Sequence, residues 1–235
     1  MVRTLLILLT GLLSPVITAL SEEAKYPDPS RYQGSIDAFL EAEKENPISL
    51  NAVVVTGSSS MRIWHATIEK DLSPLPVIPR GFGGSNMNDV FFYLNELVVK
   101  HRPAKVLLYE GDNDVALGAT PQQIMQLLNQ ILIRIQSELP NTKVYLLYVK
   151  PSPLRWSLWP VMQDVNKRYQ SLCDTEAYIE CIDIASPMLD ESGNPKTEIF
   201  LMDNLHMNDK GYRLWTQAVR SVLLPGRPDP TKVVQ

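Results

Sequence analysis

The chain has 235 residues, of which 45% are hydrophobic and 20% charged, too apolar for a disordered segment and long enough to bury a sizeable core in one domain. Its formal net charge is −4, with 22 lysines and arginines against 26 acids, and no basic cluster interrupts it, so nucleic acid is excluded as the expected partner. Three histidines and two cysteines leave little room for a metal centre, and Cys173 and Cys181 have neither C-x-x-C spacing nor a neighbouring histidine.

Residues 1–21, MVRTLLILLTGLLSPVITALS, combine an early cation at Arg3, a leucine-rich run from Leu5 to Leu13, a break at Ser14 and Pro15, and small residues at Ala19 and Ser21. That is the shape of a cleaved secretory signal peptide, and the apolar run falls short of the ~20 residues a spanning helix needs. A secreted or periplasmic protein is expected. In an oxidising compartment Cys173 and Cys181 could be bridged, or they could stay as buried thiols. Residues 22–48 read as an N-terminal arm: a polar stretch to Arg31, then Ile36, Phe39 and Leu40 at helical spacing among Glu41, Glu43, Lys44 and Glu45, an amphipathic helix packed on the main domain.

The main domain, residues 49–224, alternates two kinds of segment. Runs rich in β-formers occur at Ala52 to Thr56, Val77 to Pro79, Lys105 to Tyr109, Lys143 to Val149 and Tyr178 to Ile184. Helix-period stretches separate them at Asn88 to His101, Pro121 to Leu139 and Trp159 to Cys173, and a last one closes the domain at Asp209 to Leu223. Thr120, Pro121 and Gln123 form a complete helix start for the second of these. Continuous apolar strands such as Val53-Val54-Val55 and Val106-Leu107-Leu108 imply a parallel sheet buried on both faces. Residues 225–235, with Pro225, Pro228 and Pro230, read as an exposed C-terminal tail.

Right-handed crossovers line up the strand-to-helix loops along one sheet edge, where ligands bind in open α/β folds. Those loops hold the polar and glycine residues. Thr56-Gly57-Ser58-Ser59-Ser60 follows the first strand, Arg80-Gly81-Phe82-Gly83-Gly84-Ser85 the second, and Glu110-Gly111-Asp112-Asn113-Asp114 the third; Asp203-Asn204-Leu205-His206 stands near the end. A serine hydrolase needs a nucleophile, a base, a group to orient the base, and donors for the oxyanion. Ser59 can be lifted onto the sheet edge at a helix start. The backbone N–H groups of Ser59 and Gly84 and the Asn113 carboxamide are candidate donors. Asp203 and His206, three apart, share a face if their segment makes a helical turn.

The four blocks resemble those of the SGNH hydrolases, the GDSL esterase/lipase family, in the right order and over roughly Leu50 to Leu224. The resemblance implies a three-layer α/β/α sandwich with a five-stranded parallel, flavodoxin-like sheet. It also implies ester hydrolysis through an acyl-enzyme with no metal or other cofactor. Carried over, Ser59 is the nucleophile, His206 the base and Asp203 its partner, with Ser59, Gly84 and Asn113 forming the oxyanion hole. One departure is visible: Ser58 replaces the usual Asp of G-D-S-L, so Ser58, Ser59 and Ser60 compete until alignment on Gly57 selects Ser59.

Other residues have plainer readings. His101 sits at a helix end where a cation suits the dipole, and His65 reads as packing or surface. Asp112 and Asp114 present Asn113 in a turn and lack the further carboxylates of a calcium loop. Arg62 reads as a surface or ion-pair residue, and Trp64, Trp156 and Trp159 as packing. The loop from Pro151 to Trp159 is the candidate for substrate selection. The expected substrate is a small ester, an acyl lipid or an acetylated sugar, cleaved by a carboxylic-ester hydrolase of lysophospholipase or acetylesterase type; no stable protein partner is implied. The competing expectation is a non-catalytic carbohydrate- or lipid-binding module that retains the fold.

Overall fold

Every residue of β1 (Val53–Gly57) is buried in the computed structural model, which describes residues 26–45 and 51–227. The signal segment expected over 1–21, the arm boundary at 48/49 and the tail from residue 228 onward lie outside the described residues. In chain order the elements are α1 (Gln33–Glu45), β1, α2 (Ser59–Trp64), α3 (Ile68–Asp71), β2 (Val77–Gly81), α4 (Met87–Phe92), α5 (Leu94–Leu97) and β3 (Lys105–Tyr109). There follow α6 (Asp112–Ala116), α7 (Pro121–Glu138), β4 (Lys143–Leu147), α8 (Trp159–Thr175), β5 (Ile179–Ile182) and α9 (Asp209–Leu223). The five strands are parallel in the order β2-β1-β3-β4-β5, the flavodoxin-like arrangement.

The period-2 geometry of the strands sorts their side chains into two cores. Val54, Val106, Leu108, Val144 and Leu146 face one, with Ile36 of α1, Leu94 of α5, Leu128 of α7 and Val165 of α8. Val53, Val55, Leu107, Tyr109 and Leu147 face the other, with Met61 and Trp64 of α2, Ile68 of α3 and Trp215 of α9. Because helices cover both faces, both registers of the central strands are mostly apolar, which is why Val53-Val54-Val55 and Val106-Leu107-Leu108 read as unbroken apolar runs. The chain is an α/β three-layer sandwich.

Strand and helix ends shift by a few residues, and one helix differs more from expectation. The single helix read from Asn88 to His101 is broken at Tyr93 and Val98 into α4, α5 and a 3₁₀ turn at Val99–His101. The tighter turn lets the adjacent Val98 and Val99 both enter the core. The start of α4 carries a capping box that the sequence reading missed: Asn86 Oδ1 accepts from the Asp89 N–H at 3.1 Å, and Asp89 Oδ2 accepts from the Asn86 N–H at 3.0 Å. The box read at Thr120 and Gln123 is formed at the start of α7. Cys173 and Cys181 are joined as a disulfide that ties α8 to β5. Among the described residues no helix is long and apolar enough to cross a membrane.

Candidate active site

The sheet register puts Gly57 opposite Gly81 on one side and Tyr109 on the other, so the loops leaving β1, β2 and β3 emerge side by side. Pairing continues one step beyond the strands, with Phe82 N–H donating to Gly57 O at 2.9 Å and Ser58 N–H to Tyr109 O at 3.2 Å. Gly57 has φ +135°, and a Cβ there would lie 1.9 Å from the Tyr109 carbonyl oxygen. Only glycine lets the chain turn this sharply from strand into helix. Ser58 is then the N-cap residue of α2 and Ser59 its first residue.

Of the three consecutive serines, Ser58 and Ser60 are buried and Ser59 is half-buried. Ser59 Oγ lies 2.9 Å from His206 Nε2, and His206 Nδ1 lies 2.6 Å from Asp203 Oδ2. Asp203 Oδ1 also accepts the backbone N–H groups of Leu205 at 3.0 Å and His206 at 2.9 Å. Burial pushes the Asp203 carboxyl up, but the hydrogen bonds from the His206 ring and these two N–H groups outweigh it and bring the pKa down to about 2. The carboxylate is therefore ionised throughout the neutral range. The Asp203 to His206 segment is not a helical turn. It is the tip of a tight hairpin closed by the Phe200–Met207 bridge and by Leu201 N–H to His206 O at 2.8 Å, with Asn204 at φ +56°. A further clasp, not legible beforehand, joins the two sides of the site: Tyr212 of α9 donates to Ser60 O at 2.8 Å.

Gly84 and Asn113 line one cleft of about 210 Å³ together with Pro27, Arg31, Asn86 and Arg155. Gly84 is exposed with φ +78°. Asn113 Nδ2 donates to Ser85 O at 2.7 Å, and its Oδ1 accepts from Arg155 at 2.9 Å. A half-buried hydroxyl bonded to a carboxylate-held imidazole can be deprotonated for attack on a carbonyl, and amide N–H groups can receive the charge that develops.

The sequence matches the GDSL-like lipase/acylhydrolase family over residues 51–214. The chain belongs to this family. Among curated proteins none matches it by sequence. Solved structures with the same fold include a Streptococcus pneumonia protein whose name refers to platelet activating factor (TM-score 0.71, 17% identity, 81% of this chain and 92% of that one). A GDSL-like lipase from Bacteroides thetaiotaomicron VPI-5482 is similar over 83% of this chain and 96% of its own, at TM-score 0.65 and 20% identity. An acetyl esterase variant holding an acetate ion is similar over 72% and 92%, at TM-score 0.54 and 16% identity.

Within this GDSL-like domain most of the other singled-out residues have structural partners. His65 Nε2 accepts the Gly81 N–H at 2.9 Å, which steadies the end of β2. His101 is not a surface cation at a helix end: its side chain is 1% exposed and faces Glu43, and burial together with nearby Arg80 lowers its pKa to about 4. Trp64 is buried against Tyr212 and Trp215, while Trp156 and Trp159 stack on each other at 5.9 Å. Arg62 is exposed. Asp112 pairs with Lys150 at 3.4 Å and Arg155 at 3.3 Å. Asp114 accepts from Tyr26 Oη at 2.9 Å and from the Met87 N–H at 3.0 Å; its complete burial raises its pKa to about 6. Sequence reasoning missed Arg155 and Lys150 as individual residues, although both lie in or beside the loop singled out as a substrate selector.

Proposed function

We propose that the protein is an exported carboxylic-ester hydrolase that cleaves short or medium acyl esters, lipid-derived or O-acetyl on carbohydrate, through an acyl-enzyme. His206 takes the proton of Ser59 as Oγ attacks the ester carbonyl, and Asp203 holds the imidazole tautomer and balances the imidazolium. The tetrahedral oxyanion is received by the Ser59 and Gly84 N–H groups and by Asn113. His206 then returns the proton to the leaving alcohol oxygen, and water attacks the acyl-Ser59 ester with His206 again as base. Family membership supports ester hydrolysis as the reaction class. The observation that carries the catalytic assignment is the unbroken chain from Ser59 Oγ through His206 to Asp203.

An acetyl esterase stands among the proteins of like fold, which supports a short acyl group as one of the candidates. Export is supported by the pattern of residues 1–21 and by the Cys173–Cys181 disulfide, a bond that persists in oxidising compartments. Incubation with a fluorophosphonate followed by peptide mass spectrometry tests the reading. A single adduct on Ser59, lost in Ser59→Ala, is expected. A folded protein that takes no label and hydrolyses no ester would overturn it in favour of a binding module.

A further inference from the structure

We propose that Arg155 is the positioning residue of the oxyanion site: it fixes which end of the Asn113 carboxamide faces the reacting carbonyl, and buried Asp112 and Lys150 hold it there. The inference rests on the ester-hydrolase reading above and adds to it a residue from a different strand's loop.

Donor and acceptor chemistry decides the orientation of the carboxamide. A guanidinium can only donate and a backbone carbonyl can only accept. Asn113 lies between one of each, with Arg155 Nη2 at 2.9 Å from Oδ1 and Ser85 O at 2.7 Å from Nδ2. A flipped carboxamide would set its NH₂ against a cation and its oxygen against a carbonyl oxygen, so the pair of neighbours permits one orientation. In that orientation one Nδ2 hydrogen is taken by Ser85 and the other remains for a substrate in the cleft that Asn113 shares with Gly84. The positive charge at Oδ1 also draws electron density from the amide nitrogen, which makes the remaining N–H a stronger donor.

The setting of Arg155 argues against a merely charge-balancing role. Its Nη1 lies 3.3 Å from Asp112 Oδ2, and Lys150 Nζ lies 3.4 Å from the same oxygen. Asp112 and Lys150 have side chains only 5% and 1% exposed. Lys150 alone supplies the countercharge Asp112 needs, so the bond to Asn113 is what Arg155 adds. Lys150 in turn donates to the carbonyl oxygen of Leu205 at 3.0 Å, the residue before His206, and the Leu154 N–H donates to Asn204 O at 3.0 Å. One network thus runs from buried Asp112 and Lys150 to both the proposed oxyanion donor and the hairpin that carries His206. Two buried charges with a half-buried guanidinium beside them are a costly way to stabilise a fold and a suitable way to fix an orientation.

The test is a double-mutant cycle on kcat and KM for p-nitrophenyl acetate, with thermal unfolding of each variant alongside. Asn113→Ala should lower kcat by about 10²-fold, the usual loss of one oxyanion donor. Arg155→Gln should lower kcat by about tenfold or more with KM nearly unchanged, and should change kcat by less than about twofold when Asn113 is already alanine. Arg155→Lys, which keeps a cation over Asp112 and so protects the fold, is carried through the same cycle. It should also be slow, because one ammonium does not span Asp112 and Asn113 as the guanidinium fork does. The proposal is overturned if the Arg155 factor recurs in full on the Asn113→Ala background, if only KM or thermal stability moves, or if Arg155→Lys retains parental kcat. In those cases a slow Asn113→Ala leaves the hydrolase reading standing. Full turnover by Asn113→Ala would instead sink the oxyanion assignment and this inference with it.

Discussion

Gly57 shows how a single residue type is dictated at the site. With φ +135° and a neighbouring carbonyl oxygen 1.9 Å from where a Cβ would sit, the backbone has no room for a side chain. Gly57→Ala is expected to cost about 3 kcal/mol or more, seen as a lowered midpoint in urea unfolding. His101 makes a second residue-scale prediction. Its pKa in the folded protein, about 4, lies below the ordinary 6.5, so between those values the unfolded chain binds a proton that the folded chain refuses. Stability from this group is complete above pH 6.5 and is lost as pH falls toward 4, on the order of 3 kcal/mol in all. His101→Gln should therefore lose less unfolding free energy than the parent between pH 7 and pH 4.5. A parallel decline in both proteins would show that the imidazole does not titrate as described. Residues of the four blocks were legible because each block is local: a glycine beside a serine after a strand, or a carboxylate three before a histidine. Arg155 and Lys150 were not, because their partners lie 42 and 55 positions away and no local pattern marks them.

At the scale of elements, α7 is the clearest case of sequence dictating structure. Thr120 Oγ1 accepts from the Gln123 N–H at 3.3 Å while Gln123 Oε1 accepts from the Thr120 N–H at 2.9 Å, and Ile124, Leu128, Ile131 and Ile135 bury one face. Thr120→Ala should cost about 1 kcal/mol in equilibrium unfolding. The segment from Asn88 to His101 was legible as helical but not as broken, because its apolar spacing fits one continuous helix. The break comes from tertiary packing: Val98 and Val99 are both drawn into the core, and Arg102, at φ +47°, ends the turn before Pro103. The helical turn expected for Asp203 to His206 is a hairpin for a similar reason. Its shape is set by the Phe200–Met207 bridge and the carboxylate of Asp203 capping its own turn, neither of which periodicity records.

At the scale of the molecule, the parallel sheet followed from the unbroken apolar strands, and the position of the site followed from the sheet, since the loops at one edge hold the reactive groups. What the sequence left open was the state of the two cysteines, because a spacing alone does not say whether two sulfur atoms meet. The disulfide closes a short loop between positions 8 apart. Replacing both residues, Cys173→Ser with Cys181→Ser, should lower the unfolding free energy in guanidinium by about 2 to 3 kcal/mol. An unchanged midpoint would mean that the bridge contributes nothing to the folded state. Its location matters beyond that figure. β5 is four residues long and, like β2 at the opposite edge, bonds within the sheet to one neighbour alone, so it is a border strand that can be peeled away and traded with its counterpart in another copy. A covalent rivet to the preceding helix holds that border against unzipping.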